Sequence, residues 1–265
     1  MTTFVVITFA GDEQAANGLQ ALRGLDVEGV VTLYGAAILQ RDREGGTSVK
    51  DHDADVPMGV GVRALVGGLL RVVGGPGAAL PAPTCGPSFA AMHDMFGTRV
   101  AQGFLVRIAK ALAPGTTAIV AEISEEWRTP LDASMHKLGG KVVRERRDDT
   151  VDTQLQRQFR TAQAESAQLR ADLANAHGEF AIVVKAAIDR AEAKAKALRE
   201  VADARTRCLH EEAAARLRAL LRQRMSARVD GKARIEQRLA EVRADELRSS
   251  AALTSAAHAE AGVPS

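Results

Sequence analysis

Apolar and polar positions divide the first 150 residues into short strands and helices. Thr3 to Ala10 (TFVVITFA) is rich in β-branched and aromatic residues and predicts a buried strand. Gly11-Asp12 ends it, and Ala15, Leu19 and Leu22 then recur on one helical face. Val30 to Asp42 predicts the next strand, and Glu44-Gly45-Gly46 turns the chain into a polar partner strand, Thr47 to His52. Gly103 to Leu112 predicts a helix with Phe104, Ile108 and Leu112 on one side, stopped by Pro114-Gly115; Thr116 to Ile123 is again a buried strand. Thr129 as N-cap, Pro130 at the first helical position and Asp132 near the positive helix end start a further helix. It turns Leu131, Met135 and Leu138 inward and stops at Gly139-Gly140. Lys141 to Arg147 closes the region as an edge strand, where Arg144, Arg146 and Arg147 read as a solubilising patch. The order fits an α+β head, residues 1–149, on the ferredoxin-like split β-α-β plan with helices on one face.

A Gly/Pro-rich insertion, residues 56–98, interrupts the head. Gly59, Gly61, Gly67 and Gly68 are close together, and Ala64-x-x-x-Gly68 is a small-residue pair of the kind that lets helices approach closely. Gly59, Arg63, Ala64, Gly67, Gly68, Leu69, Leu70 and Arg71 are the expected membrane or oligomer contact. The clean apolar run Ala64 to Leu70 falls far short of the roughly 20 residues of a helical span. Val60 to Val73 therefore reads as an amphipathic segment on a membrane surface or a partner copy, with a locally packed surface loop as the plainer alternative.

After Thr150 the pattern changes to a helical arm, residues 150–250, followed by a tail, 251–265, expected to be disordered. Leu155, Phe159, Ala162, Leu169, Leu173 and Phe180 alternate by heptads and predict a coiled-coil seam. Gly178 and Asp230-Gly231 are the expected turns if the arm folds back into a hairpin rather than running on as one helix. Many seam positions are alanine, so each contact buries little and the helices need a partner, from the same chain or another, with a homo-oligomer through the arm as the expectation.

Charge sharpens that boundary. Residues 1–150 carry 15 basic and 17 acidic side chains, whereas residues 151–250 carry 20 and 15. The arm's arginines alternate with Glu and Asp at helical spacing, which describes a solvated face and argues against a nucleic-acid partner. Aromatic residues make up 3% of the 265 positions, too few for a base-stacking platform. Cys85 and Cys208 are far apart in sequence and form no C-x-x-C pair, which argues against a disulfide scaffold and a structural zinc site. No export signal is visible, so the polar parts are expected in the cytoplasm, with any membrane contact at the inner face.

Candidate chemistry is sparse. Asp51, His52, Asp53 and Asp55 are compact enough to hold a hard cation but lack EF-hand spacing, and read better as a polar loop. Gly74-Gly75-Pro76-Gly77 has no Lys-Ser/Thr of a phosphate loop, and Gly86-Pro87-Ser88-Phe89 is no nucleophile elbow. Cys85 near His93 has no third group to orient it, and His136 and His210 stand alone. Catalytic residues, metal ligands and cofactors are therefore all expected to be absent.

The stretches TFVVITFAGDEQAANGLQALRGL and VVTLYGAAILQRDREGGTSVKD, with ALAPGTTAIVAEI and LGGKVVRERR, make residues 1–149 resemble a bacterial family known as domain of unknown function 1269. Its members are usually labelled predicted membrane proteins, and the family places a glycine-rich helical hairpin after its third strand. The resemblance implies no enzymatic activity. Here the second hairpin helix is replaced by the proline-rich Gly75 to Ser88. The functional expectation is a non-catalytic protein that associates with a membrane or with itself; the alternative is a soluble coiled-coil scaffold or regulatory module.

Overall fold

The computed structural model describes residues 2–50, 58–73, 99–146, 150–227 and 229–258. In chain order the elements are β1 (Thr2–Phe9), α1 (Asp12–Val27), β2 (Val31–Arg41), β3 (Thr47–Lys50), α2 (Val60–Val73) and α3 (Arg99–Ala111). These are followed by β4 (Thr117–Glu125), α4 (Thr129–Lys137), β5 (Lys141–Arg146), α5 (Thr150–Ala174), α6 (Glu179–Ser226) and α7 (Val229–His258). The protein is α+β: a five-stranded antiparallel sheet, ordered β3-β2-β4-β1-β5, with a long C-terminal helical region.

The sheet is covered on both faces, not one. Every residue of β4 from Thr117 to Ser124 is buried, a run that no half-solvated strand sustains. On the first face Val5, Ile7, Phe9, Ile119 and Ile123 pack against Leu19 and Leu22 of α1 and Leu131 and Met135 of α4. On the second, Val6, Leu39, Ala118 and Val120 pack against Val66 and Leu69 of α2 and Phe104 and Ile108 of α3. The helix predicted over Val60 to Val73 is therefore present, but its apolar face is already spent on its own sheet. Leu69 and Leu70 are 1% and 3% exposed and Gly68 is buried, so none of them is a membrane or oligomer contact. Gly59 lies at the start of the helix, Arg63 reaches the Met58 carbonyl, and Gly67 is half-buried. Ala64 and Arg71 belong to the same helix, but their side chains fall outside the described ones.

The division of the chain also differs from the expected boundary at 150. Two compact units emerge. One contains the sheet, α1 to α4, and Glu211–Ala244 from α6 and α7; the other contains α5, residues 179–210 of α6 and the end of α7. Residues 211–244 of the helical region thus fold with the head, and the larger part of that region forms the second unit. Residues 251–258, expected in a disordered tail, are helical, and Leu253 and Ala257 join Leu155, Phe159 and Leu198 in the core of the second unit.

Helix α6 is unbroken for 48 residues, and its buried positions follow one another by four and three: Val184, Ile188, Ala191, then Leu198, Ala202, Arg205 and on to Gln223. The turn before it lies at Gly178, whose φ of 59° is a left-handed value that suits glycine. That break resets the helical phase. Leu155, Phe159 and Ala162 are buried as the seam requires, Leu169 and Leu173 are half-buried, but Phe180 is 59% exposed and not a seam residue. A heptad count carried through a turn loses its register, and the true stripe restarts at Val184. The second turn precedes Val229, so Gly231 lies inside α7 and is not the turn.

Candidate functional site

A buried polar layer lies between the second face of the sheet and the stretch Glu211–Ala244. A β-bulge starts it. Pairing of β2 with β4 shifts between Leu33 and Gly35, so Tyr34 has no register partner and the strand's faces exchange beyond it. Thr32, Tyr34, Glu122 and Ser124 consequently sit together among Ala213, Leu220, Ile235 and Leu239 from the helices. Gly35, a lone glycine inside an apolar run, was the signal for that bulge.

Glu122 occupies the middle of a central strand and is 3% exposed. A carboxylate held there needs a cation, and Arg216 of α6 supplies it: Nε donates to Glu122 Oε1 at 2.9 Å, and Nη2 lies 2.7 Å from the same oxygen. Glu212, one turn earlier, lies 3.9 Å from that guanidinium, giving one arginine between two buried carboxylates. Gly61 of α2 makes room on the other side, since a Cβ there would fall 2.7 Å from Glu122 Oε2.

Next along the sheet, Gln223 uses both ends of its amide. Its Nε2 donates to the carbonyls of Asp26 and Val31, each at 2.7 Å, and its Oε1 accepts from the Thr32 hydroxyl at 2.8 Å. Arg238 of α7 also reaches the Thr32 oxygen, at 2.5 Å. Tyr34 hydrogen-bonds Ser124, and burial pushes its hydroxyl above the ordinary tyrosine range despite the opposing pull of Arg238. Burial likewise raises the Asp26 carboxyl to about 6, against the Leu33 N–H at 2.8 Å and the charges of Arg222 and Arg238, which favour the ionised form.

A carboxyl raised on folding is most comfortable protonated. Its contribution to stability is complete below the unfolded value near 3.8 and is lost as pH rises through about 6. Asp26→Asn keeps an oxygen for the Leu33 N–H and removes the titration. It is expected to flatten the fall in melting temperature between about pH 4 and pH 6 and to melt above the parent chain at pH 7.5. An unchanged pH profile would show that Asp26 stays hydrated.

The chemistry-bearing groups of this layer are directed at one another. That arrangement suits a docking joint, and the same holds at the edge strand. Arg144, expected to be a solubilising surface residue, is 13% exposed and bonds both oxygens of Glu125 at 2.6 and 3.2 Å and Asp132 at 2.6 Å. His136 is exposed, and His210 lies 3.4 Å from Glu246. Arg147, the Asp51–Asp55 cluster, Cys85 and His93 lie outside the described residues.

In the second unit Asp152 and Arg205 form a buried pair, with Nε 2.7 Å and Nη2 3.2 Å from the two carboxylate oxygens. Alongside it α5 and α6 leave a groove of about 390 Å³ lined by Gln158, Thr161, Lys194, Ala197, Leu198 and Val201. Phe180, Ile182 and Val183, at the start of α6, are 59%, 71% and 60% exposed. Among the described residues, no helix is long and apolar enough to cross a membrane. No family model, curated protein or solved structure matches this chain.

Proposed function

We propose that this is a non-catalytic, cytoplasmic protein that works by self-association through its helical region, with a ferredoxin-like head whose second sheet face serves as an internal docking surface. The exposed trio Phe180, Ile182 and Val183 carries the reading. Three adjacent large apolar side chains at a helix start are costly in water and typical of a contact surface. The consumption of Glu122, Arg216, Thr32 and Gln223 in mutual hydrogen bonds supports a binding role over catalysis, and the resemblance of residues 1–149 to a family without recognised catalytic residues agrees with it. Membrane attachment through α2 draws no support, because Leu69 and Leu70 are buried in the head. Sedimentation velocity on the full chain, from roughly 1 to 100 µM, tests the reading. A mass that rises above the monomer is the expected result. A constant monomer across that range would sink it.

A further inference from the structure

Resting on that reading, we infer that the chain pairs with a second copy by laying α6 antiparallel into the α5–α6 groove of its partner, about a two-fold axis near Arg190.

Two unsatisfied features of the second unit meet this description at once. Outside the buried stripe, α6 carries a second one at the same four-three spacing: Phe180, Val183, Ala187, Arg190, Lys194, then Ala197 and Val201. Its first members are the exposed apolar trio's Phe180 and Val183; its last members line the groove. Phe180 to Val201 covers about 30 Å of helix. An antiparallel copy centred on Arg190 sets Phe180 opposite Val201 and Val183 opposite Ala197, and the two-fold repeats both contacts. Each copy therefore covers its own apolar start with the other's groove, and fills its own groove in the same operation.

Charge supports the same placement. Gln158 and Thr161 are the α5 residues that line the groove, and the same three-four spacing runs on beyond them to Glu165, Gln168 and Asp172, so the α5 stripe turns acidic beside the stretch where α6 carries Arg190 and Lys194. Glu165 already lies 3.2 Å from Lys194 of its own chain. In the pair, Arg190 of one copy comes against the Glu165 region of the other. The Arg190 Nε donates to the Ala186 carbonyl at 3.1 Å, which turns the guanidinium back along its own helix and away from its symmetry mate at the axis. A parallel arrangement would add a Lys194–Lys194 contact to the Arg190 pair, would set Phe180 against Phe180, and would leave the groove empty.

The test uses the full chain. Phe180→Asp with Val183→Asp changes exposed residues, so the helical circular dichroism should be kept while the dimer dissociation constant rises at least about 100-fold by sedimentation. Independently, Arg190→Cys in a Cys85→Ser background should give a covalent dimer on mild oxidation, whereas Lys196→Cys, exposed on another face of α6, should not. A dimer indifferent to the double aspartate change, or one that fails to cross-link through position 190, overturns this surface and leaves self-association standing. A chain that never dimerises removes both.

Discussion

Replacing Arg216 with alanine should cost the fold about 3–5 kcal/mol, the usual effect of stranding one member of a buried ion pair. Glu122 is 4% exposed at its side chain and Arg216 11%, so solvent cannot take over the lost contact without opening the joint between sheet and helix. The remaining carboxylates, Glu122 and Glu212, would then repel across the space the guanidinium held. Adding Glu122→Gln to the Arg216→Ala chain should recover part of the loss, because an amide needs no countercharge. Urea midpoints of the parent and the two variants decide it. A shift of the Arg216→Ala chain below about 1 kcal/mol would mean that the pair behaves as a surface pair and that water enters this layer.

Phe9→Ala should be comparably damaging, at about 3–5 kcal/mol, for a different reason. Phe9 is 2% exposed and fills the first core of the head, and two glycines are shaped around it. A Cβ at Gly18 of α1 would lie 2.5 Å from the ring, and one at Gly140, beyond α4, 2.7 Å. Gly18→Ala on the parent chain should therefore destabilise it, even though alanine favours a helix over glycine by about 1 kcal/mol. The same change in a Phe9→Leu background should be far milder, since the clash is gone. If Gly18→Ala costs the same with either residue at position 9, the close approach is not what selects glycine there. Thermal melts of the four chains give the comparison.

These two sites differ in how far the sequence announces them. The strands were readable because β-branched runs such as Thr3–Ala10 and Thr116–Ile123 admit no other packing, and α4 was readable from Thr129-Pro130 and the paired glycines after it. The second core was not. Residues Val60–Val73 resemble a membrane-facing helix because small residues and leucines look alike whether they meet lipid or a sheet of the same chain. The place of residues 211–244 was hidden for a related reason: α6 is amphipathic throughout, and nothing in its heptads says that the partner changes from helix to sheet. Glu122 was the missed clue. A single carboxylate in an otherwise apolar strand must be answered by a base, and Arg216 stands at a stripe position of α6 where a leucine would be ordinary. Phe180 shows the opposite failure, where regular spacing continued across Gly178 although the backbone turned.

Hydrophobic stripes tolerate error: a helix that slides by one turn still presents leucine to leucine. The joint between α6 and the sheet has no such tolerance. A slip of one turn in one direction puts Glu212 where Arg216 belongs and brings two buried carboxylates face to face; in the other it leaves Glu122 facing Leu220. Gln223 would forfeit three hydrogen bonds at the same moment. Neighbouring registers are thus not slightly worse seats but vacant ones, and the joint carries its own proofreading. Amide exchange along Glu212 to Gln223 should then proceed as a single all-or-none event, with no series of graded partial openings.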